Sequence, residues 1–242
     1  MEPPDRDPPR TPFRMVTFDI DGTLTRGHGW AHIARSLGKD AEYAATQDAF
    51  LRGKESEEVH LVNLLNLAAG VPLTTLEALL EETPKISGIS ETVGDLTARG
   101  VIPALLTHNP SYVCRWYCRT FGFAGFSGSE QEVQGGVIQP VHHAEADKVG
   151  GLRSLTRRWG IPPGATLHVG DAPADATVAE FTGGFVALNA DREGVRARAD
   201  RVLFTEDLRD VIPLVATVFH PPRRILLPVV HPSGARDGCE RS

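Results

Sequence analysis

Two rhythms of apolar and polar positions run along this chain, and the switches between them mark its parts. Phe13 to Phe18 is a short, mostly apolar run that reads as a buried strand. From Arg26 to about Pro84 the spacing becomes helical. Trp30, Ile33, Ala34 and Leu37 form one apolar set, Leu61, Leu64, Leu65 and Leu67 a second, and Leu76, Leu79 and Leu80 a third. Gly38 and Gly70-Val71-Pro72 punctuate the stretch, and Thr74-Thr75 are candidate caps, so three helices are predicted. Strands and helices then alternate. Helices are expected over Ile89–Arg99, Ser111–Phe121, from Asp147-Lys148 to near Gly160, and over Leu208–Val218. Strands are expected at 101–106, 165–169, 185–188 and 202–204, with 126–141 extended around a hairpin at Gly135-Gly136.

Strand–helix alternation of this kind implies an α/β fold with a doubly wound, mostly parallel sheet. The helical stretch is too long for a plain connection and interrupts the alternation directly after the first strand. It therefore reads as an inserted α-helical cap, residues 27–86, on a core made of 13–26 and 87–219. The proline-rich, charged residues 1–12 and the tail 220–242 are expected to be disordered.

Composition narrows the picture little. The chain has 242 residues, 41% hydrophobic and 23% charged, which is ordinary for a soluble globule. A formal net charge of −6 argues against a nucleic-acid partner. Cys114, Cys118 and Cys239 give no disulfide framework and read as free thiols. The N-terminus lacks the apolar core of a signal peptide, and no run approaches the ~20 apolar residues of a membrane span. A cytoplasmic protein, monomer or homodimer, with no membrane partner is the expectation.

The chemistry sits at the ends of the predicted strands, where open α/β sheets bind ligands. The first strand ends in Asp19-Ile20-Asp21-Gly22-Thr23. Strict alternation would put both carboxylates on one face, but Gly22 signals a turn that frees Asp21 to aim separately. Two close carboxylates repel unless a cation or shared proton intervenes, which suits a Mg²⁺ site with a nucleophile and a general acid. A turn rich in Asp and Gly is the plain alternative. Thr107, Lys148, Asp171 and Asp175 also stand at strand or helix ends. The carboxylates can supply hard oxygen ligands, while Thr107 and Lys148 can hold phosphoryl oxygens.

At this point the chain resembles the haloacid dehalogenase superfamily of aspartate-nucleophile phosphatases. Asp19 to Thr25 (DIDGTLT), the run ending at Thr107, Lys148, and Val169 to Asp175 (VGDAPAD) match its motifs in order and spacing. The chain is similar in particular to the phosphoserine-phosphatase-like branch, with a helical cap after the first motif. The resemblance implies that Asp19 is the nucleophile and Asp21 the general acid, then base. It implies Mg²⁺ held by Asp19, the Asp21 carbonyl and Asp171. Thr107, Lys148 and the amides near Ile20 and Gly22 would position the phosphoryl group, with Asp175 orienting Lys148 or the metal's waters. A small phosphorylated metabolite is the implied substrate. A phosphotransferase or mutase, or a non-catalytic binding protein on the same scaffold, are the alternatives.

Several departures bear on substrate. Serine-phosphate-specific members carry a cap glutamate where His28 stands and a cap arginine where, by spacing, Val62 stands. Their Ser-Gly-Gly is here Thr107-His108-Asn109, and an asparagine is replaced by Ala174. His28, His108, Asn109 and Arg26 are the candidate substrate contacts, with exposed or turn roles as alternatives. His28 and His32 share one predicted helix at i, i+4, Asn189 could face the pocket or serve its turn, and Trp30 could reach the cap–core cleft.

Overall fold

The computed structural model describes residues 13–217. The expectations for 1–12 and 220–242, and for Val218 and Cys239, lie outside the described residues. Strand β1 (Met15–Phe18) is followed by four helices, α1 (Gly29–Ser36), α2 (Asp40–Leu51), α3 (Glu57–Asn66) and α4 (Leu73–Glu82). Then come α5 (Ile89–Ala98), β2 (Ile102–Pro110), α6 (Ser111–Phe121), β3 (Gly125–Ser129), β4 (Val133–Gln134) and β5 (Val137–Ile138). The chain closes with α7 (Lys148–Arg158), β6 (Thr166–Gly170), α8 (Pro173–Val178), β7 (Gly184–Leu188), α9 (Glu193–Arg196), β8 (Arg201–Leu203) and α10 (Ile212–Val215).

Six strands form one parallel sheet in the order β3-β2-β1-β6-β7-β8. Side chains alternate between its faces. Val16, Phe18, Leu105, Leu167 and Val169 pack with Val93 and Leu96 of α5 in one core cluster. Met15, Ala104 and Leu106 face the other way, onto Leu152 and Leu155 of α7. With both faces covered, β1 is buried throughout, which is why it reads as an almost unbroken apolar run.

The insert has four helices, not the three that the apolar spacing predicts. The additional one, α2, buries only Thr46 fully, so its apolar residues mark no face. His28 and His32 do not share a helix: His28 is the residue before α1, with extended backbone. β2 runs on through Thr107 to Pro110, beyond the expected end. The region 126–141 divides: β3 joins the sheet edge, and only β4 and β5 form the hairpin. The last helix is split into a 3-10 turn over Leu208–Val211 and a short α10.

Two connections hold the insert on the core. At its root the entering and leaving chains run side by side, with Arg26 N–H donating to the Pro84 carbonyl and Ile86 N–H to that of Leu24. Farther out, the β4–β5 hairpin pairs with the loop before α4: Gly70 N–H donates to the Ile138 carbonyl and Ile138 N–H to that of Val71. Gln131 donates to the Leu65 carbonyl and Asn66 to that of Val141.

Candidate active site

Asp19 and Asp171 lie just past the ends of β1 and β6, Thr107 lies in β2 two residues beyond its last pairing with β1, and Lys148 opens α7. Parallel register brings these ends together, beside a cleft of about 1030 Å³ between sheet and insert. Asp19, Asp21, Thr107, Lys148 and Asp171 all line it.

Alternation carries Thr17 and Asp19 to the face where α7 packs. There Lys148 Nζ lies 2.9 Å from Asp19 and 2.6 Å from Asp175 Oδ1. Asp175 is fully occupied. Its Oδ1 also meets His168 Nε2 at 3.0 Å, and its Oδ2 accepts the N–H groups of Asp171 and Ala172. Behind it, His168 Nδ1 meets Thr17 Oγ1 at 2.9 Å, the two residues being register partners on β6 and β1. Burial would raise the Asp175 carboxyl, but the Lys148 ammonium beside it holds it well below the usual carboxylate range. Burial likewise disfavours the Lys148 charge, and Asp175 and Asp19 together outweigh it. His168 is fully buried and was not foreseen. A histidine inside an apolar strand was its only signal.

Asp21 aims elsewhere, as the turn suggests. The Ile20 carbonyl accepts the N–H groups of Thr23, Leu24 and Thr25, folding the chain back at once. Asp21 Oδ1 accepts Gly29 N–H at 2.7 Å and Oδ2 accepts Asn109 Nδ2 at 2.8 Å. Gly22 lies at φ +76°, and a Cβ there would fall 2.2 Å from Asp171 Oδ2. Glycine is needed for both reasons.

The predicted amide pair is only half available. Gly22 N–H donates to the Gly27 carbonyl and Thr25 Oγ1, because the turn consumes it. Ile20 N–H has no acceptor among the described residues. Arg26 lines the cleft but pairs with Glu206 at 2.9 Å, both exposed. His28 is exposed on the rim. His108 lies 3.7 Å from Glu57, and burial pushes it down to about 3, so it is neutral at neutral pH. Asn189 lines the cleft from a positive φ of 52°, yet its side chain closes a turn on Thr205 through both amide atoms. Trp30 does reach the cleft, where its indole meets Asn109.

The donor set fits a hard divalent cation. Asp19, Asp171 and Asp175 each bring an oxygen within 4.8 Å of the others. Asp175 is committed to its four donors, which leaves Asp19 and Asp171. Burial, with the neighbouring carboxylates adding, pushes Asp171 well above its ordinary range, and burial pushes Asp19 up against the pull of Lys148. A buried and a half-buried carboxylate in this state are what a cation would stabilise. Thr23 Oγ1 fixes Asp171 Oδ1 at 2.9 Å, and the missing Cβ of Gly22 leaves room for the carboxylate.

Among the described residues, no helix is long and apolar enough to cross a membrane. The model of the haloacid dehalogenase-like hydrolases matches residues 13–181. Phosphoserine phosphatase SerB2 of Mycobacterium tuberculosis is 25% identical over 195 residues, covering 78% of this chain and 47% of that protein. Phosphoserine phosphatase of Archaeoglobus fulgidus is 25% identical over 201 residues, covering 81% and 58%. The chain thus spans about half the length of these two relatives. That of Halobacterium salinarum is 26% identical over 200 residues, covering 80% and 93%. A solved phosphoserine phosphatase with a phospho-aspartyl intermediate analogue superposes with a TM-score of 0.71 at 22% identity, covering 84% of this chain and 98% of the other. A haloacid dehalogenase family hydrolase from Salmonella enterica serovar Typhi gives 0.77 at 19%, covering 86% and 73%. At such identities the superpositions speak for the α/β fold. With the family match across most of the described chain, the assignment is plain: this chain belongs to the haloacid dehalogenase-like hydrolase family, in its phosphoserine-phosphatase-like branch.

Proposed function

We propose that the protein hydrolyses a small phosphate monoester in two steps, through an aspartyl phosphate on Asp19. The observation that carries this reading is the Asp19 carboxylate, held by Lys148 at 2.9 Å beside an open cleft, with Asp21 two residues on and aimed independently. In the first step an Asp19 oxygen bonds to phosphorus as the bond to the leaving oxygen breaks, and Asp21 gives that oxygen its proton. In the second, Asp21 takes a proton from water, whose oxygen attacks phosphorus and frees Asp19 and inorganic phosphate. Lys148 and Thr107 hold the phosphoryl oxygens, and Ile20 N–H is the amide left to join them. Asp175, braced by His168, keeps Lys148 in place. Mg²⁺, held by Asp19, Asp171 and the Asp21 carbonyl, would neutralise charge on the transferring group.

Residues 27–86 act as a cap in this reading, and 13–26 with 87–219 as the catalytic core. The cap side of the cleft presents Phe50, Leu51, Leu61 and Leu64 with Gln47, His28, His60 and one acid, Glu57, and no lysine or arginine. Val62, at the place expected for a substrate-binding arginine, packs against the core cluster instead. A substrate carboxylate would find no cation on that side, so phosphoserine is not the preferred substrate. Phosphate release from a panel of phosphorylated metabolites, with Mg²⁺ and with EDTA, tests the proposal. Metal-dependent release that Asp19→Asn abolishes supports it. Release unchanged in Asp19→Asn refutes the aspartyl phosphate, and L-phosphoserine as the best ester refutes the substrate reading.

A further inference from the structure

The Trp30 indole N–H donates to Asn109 Oδ1 at 3.0 Å. Asn109 Nδ2 in turn donates to Asp21 Oδ2 at 2.8 Å and to Thr107 Oγ1 at 3.1 Å. Four side chains from the turn after β1, the insert's first helix and the last part of β2 are thus bonded together. Trp30 and Asn109 are both buried, at 3% and 7% exposure.

The order of these bonds has a chemical logic. An indole nitrogen can only donate, whereas an amide offers an acceptor on one side and a donor on the other. With Trp30 on one side, the Asn109 carbonyl must face the indole, and the amino group is left to face Asp21. Turned over, the amide would set its carbonyl against a carboxylate. Both amino hydrogens have partners, so Asn109 has no side-chain donor left for a substrate. The second Asp21 oxygen is held by Gly29 N–H, the residue next to Trp30. A Cβ at Gly29 would lie 2.8 Å from that oxygen, so glycine is what lets the amide approach.

We propose that Trp30 and Asn109 are positioning residues for Asp21: the indole sets the orientation of the amide, and the amide aims the carboxyl that serves the leaving oxygen. The inference rests on the two-step reading above, in which Asp21 gives its proton to the oxygen departing from phosphorus. An Asp21 free to rotate leaves that oxygen without its proton, and the damage grows with how strongly the leaving group needs one.

The test compares two generic esters, p-nitrophenyl phosphate and phenyl phosphate, whose departing oxygens differ in that need. Trp30→Phe and Asn109→Ala are each expected to lower kcat/KM for phenyl phosphate about tenfold more than for p-nitrophenyl phosphate. Asp21→Asn should widen the ratio most. Equal losses on both esters, as from general loosening, would overturn the proposal, as would no loss. A second measurement does not depend on turnover. Trp30→Phe assigns the Trp30 indole N–H signal by NMR, and Asn109→Ala and Asp21→Asn should each shift it. A signal indifferent to both variants overturns the relay. If wild type releases phosphate from no ester, yet the signal shifts as expected, the phosphatase reading has failed and the relay stands as a structural feature.

Discussion

The two sides of the cleft are built differently. On the core side Lys148, Asp175, His168, Thr107 and Asn109 are buried and bonded to one another or to the neighbouring backbone. On the side of the insert Phe50 is half-buried, Leu51 and Glu57 are exposed, and Gln47 Nε2 is buried with no partner among the described residues. Apart from His108 Nε2, buried with no partner among the described residues, the core side spends its polar groups on each other. The insert side keeps its groups open for something that arrives. The first arrangement suits chemistry, which tolerates little misplacement, and the second suits recognition.

The sharpest way to break this contrast is at Asp19. Asp19→Asn should cut phosphate release by about a thousandfold or more while the protein stays folded, checked by turnover beside circular dichroism. Next comes the buried ion pair. Lys148→Met leaves Asp175 and Asp19 buried without their shared cation, and should cost about 3–5 kcal/mol in urea unfolding. Asp175 is held below its unfolded value, so its contribution is complete above about pH 4 and is lost as pH falls through the folded value. Wild-type stability should fall in that acid range, and Lys148→Met should flatten the fall. A smaller effect is expected from the cation. At a hundredfold excess over Kd, Mg²⁺ should add about 2.7 kcal/mol to stability, an increment that Asp171→Asn removes.

On the insert side, Phe50→Ala and Glu57→Gln should reorder the substrate panel and change KM within about tenfold, leaving the thermal midpoint almost unchanged. If instead they match the loss from Lys148→Met, the distinction between the two sides fails. The smallest effect belongs to His108. Burial holds it neutral, its value being about 3, so His108→Gln should leave the pH profile between about pH 5 and 9 unmoved.

The core was legible in the sequence for a physical reason. Strands covered on both faces must be apolar nearly throughout, so Met15–Phe18 and Gly184–Leu188 announce themselves. The candidate site residues stand where such runs give way to polar ones, which is how Asp19, Thr107 and Asp171 could be found. Helix α2 was not legible, because it rests on the insert with no continuous apolar face. His168 carried no pattern either, and Asn109 was expected to meet substrate rather than Asp21. Their roles depend on Thr17 and Asp21, distant in sequence and brought near only by sheet register and by the turn after β1. The turn itself explains the lost Gly22 amide: its composition was visible, but not which hydrogen bonds it would use.

Strand β1 lies inside the sheet, between β2 and β6. Of the described strands it is the first in the chain, and both of its neighbours are translated after it. Its second neighbour begins only at Thr166, and Lys148, Asp171 and Asp175 are translated long after Asp19. Until then β1 can pair only with β2, and the groups that surround Asp19 in the folded protein are not yet all in place. A nascent chain, or one cut short before β6, therefore carries Asp19 without Asp171 and Asp175 beside it, and on the proposed reading reactivity arrives together with the finished fold.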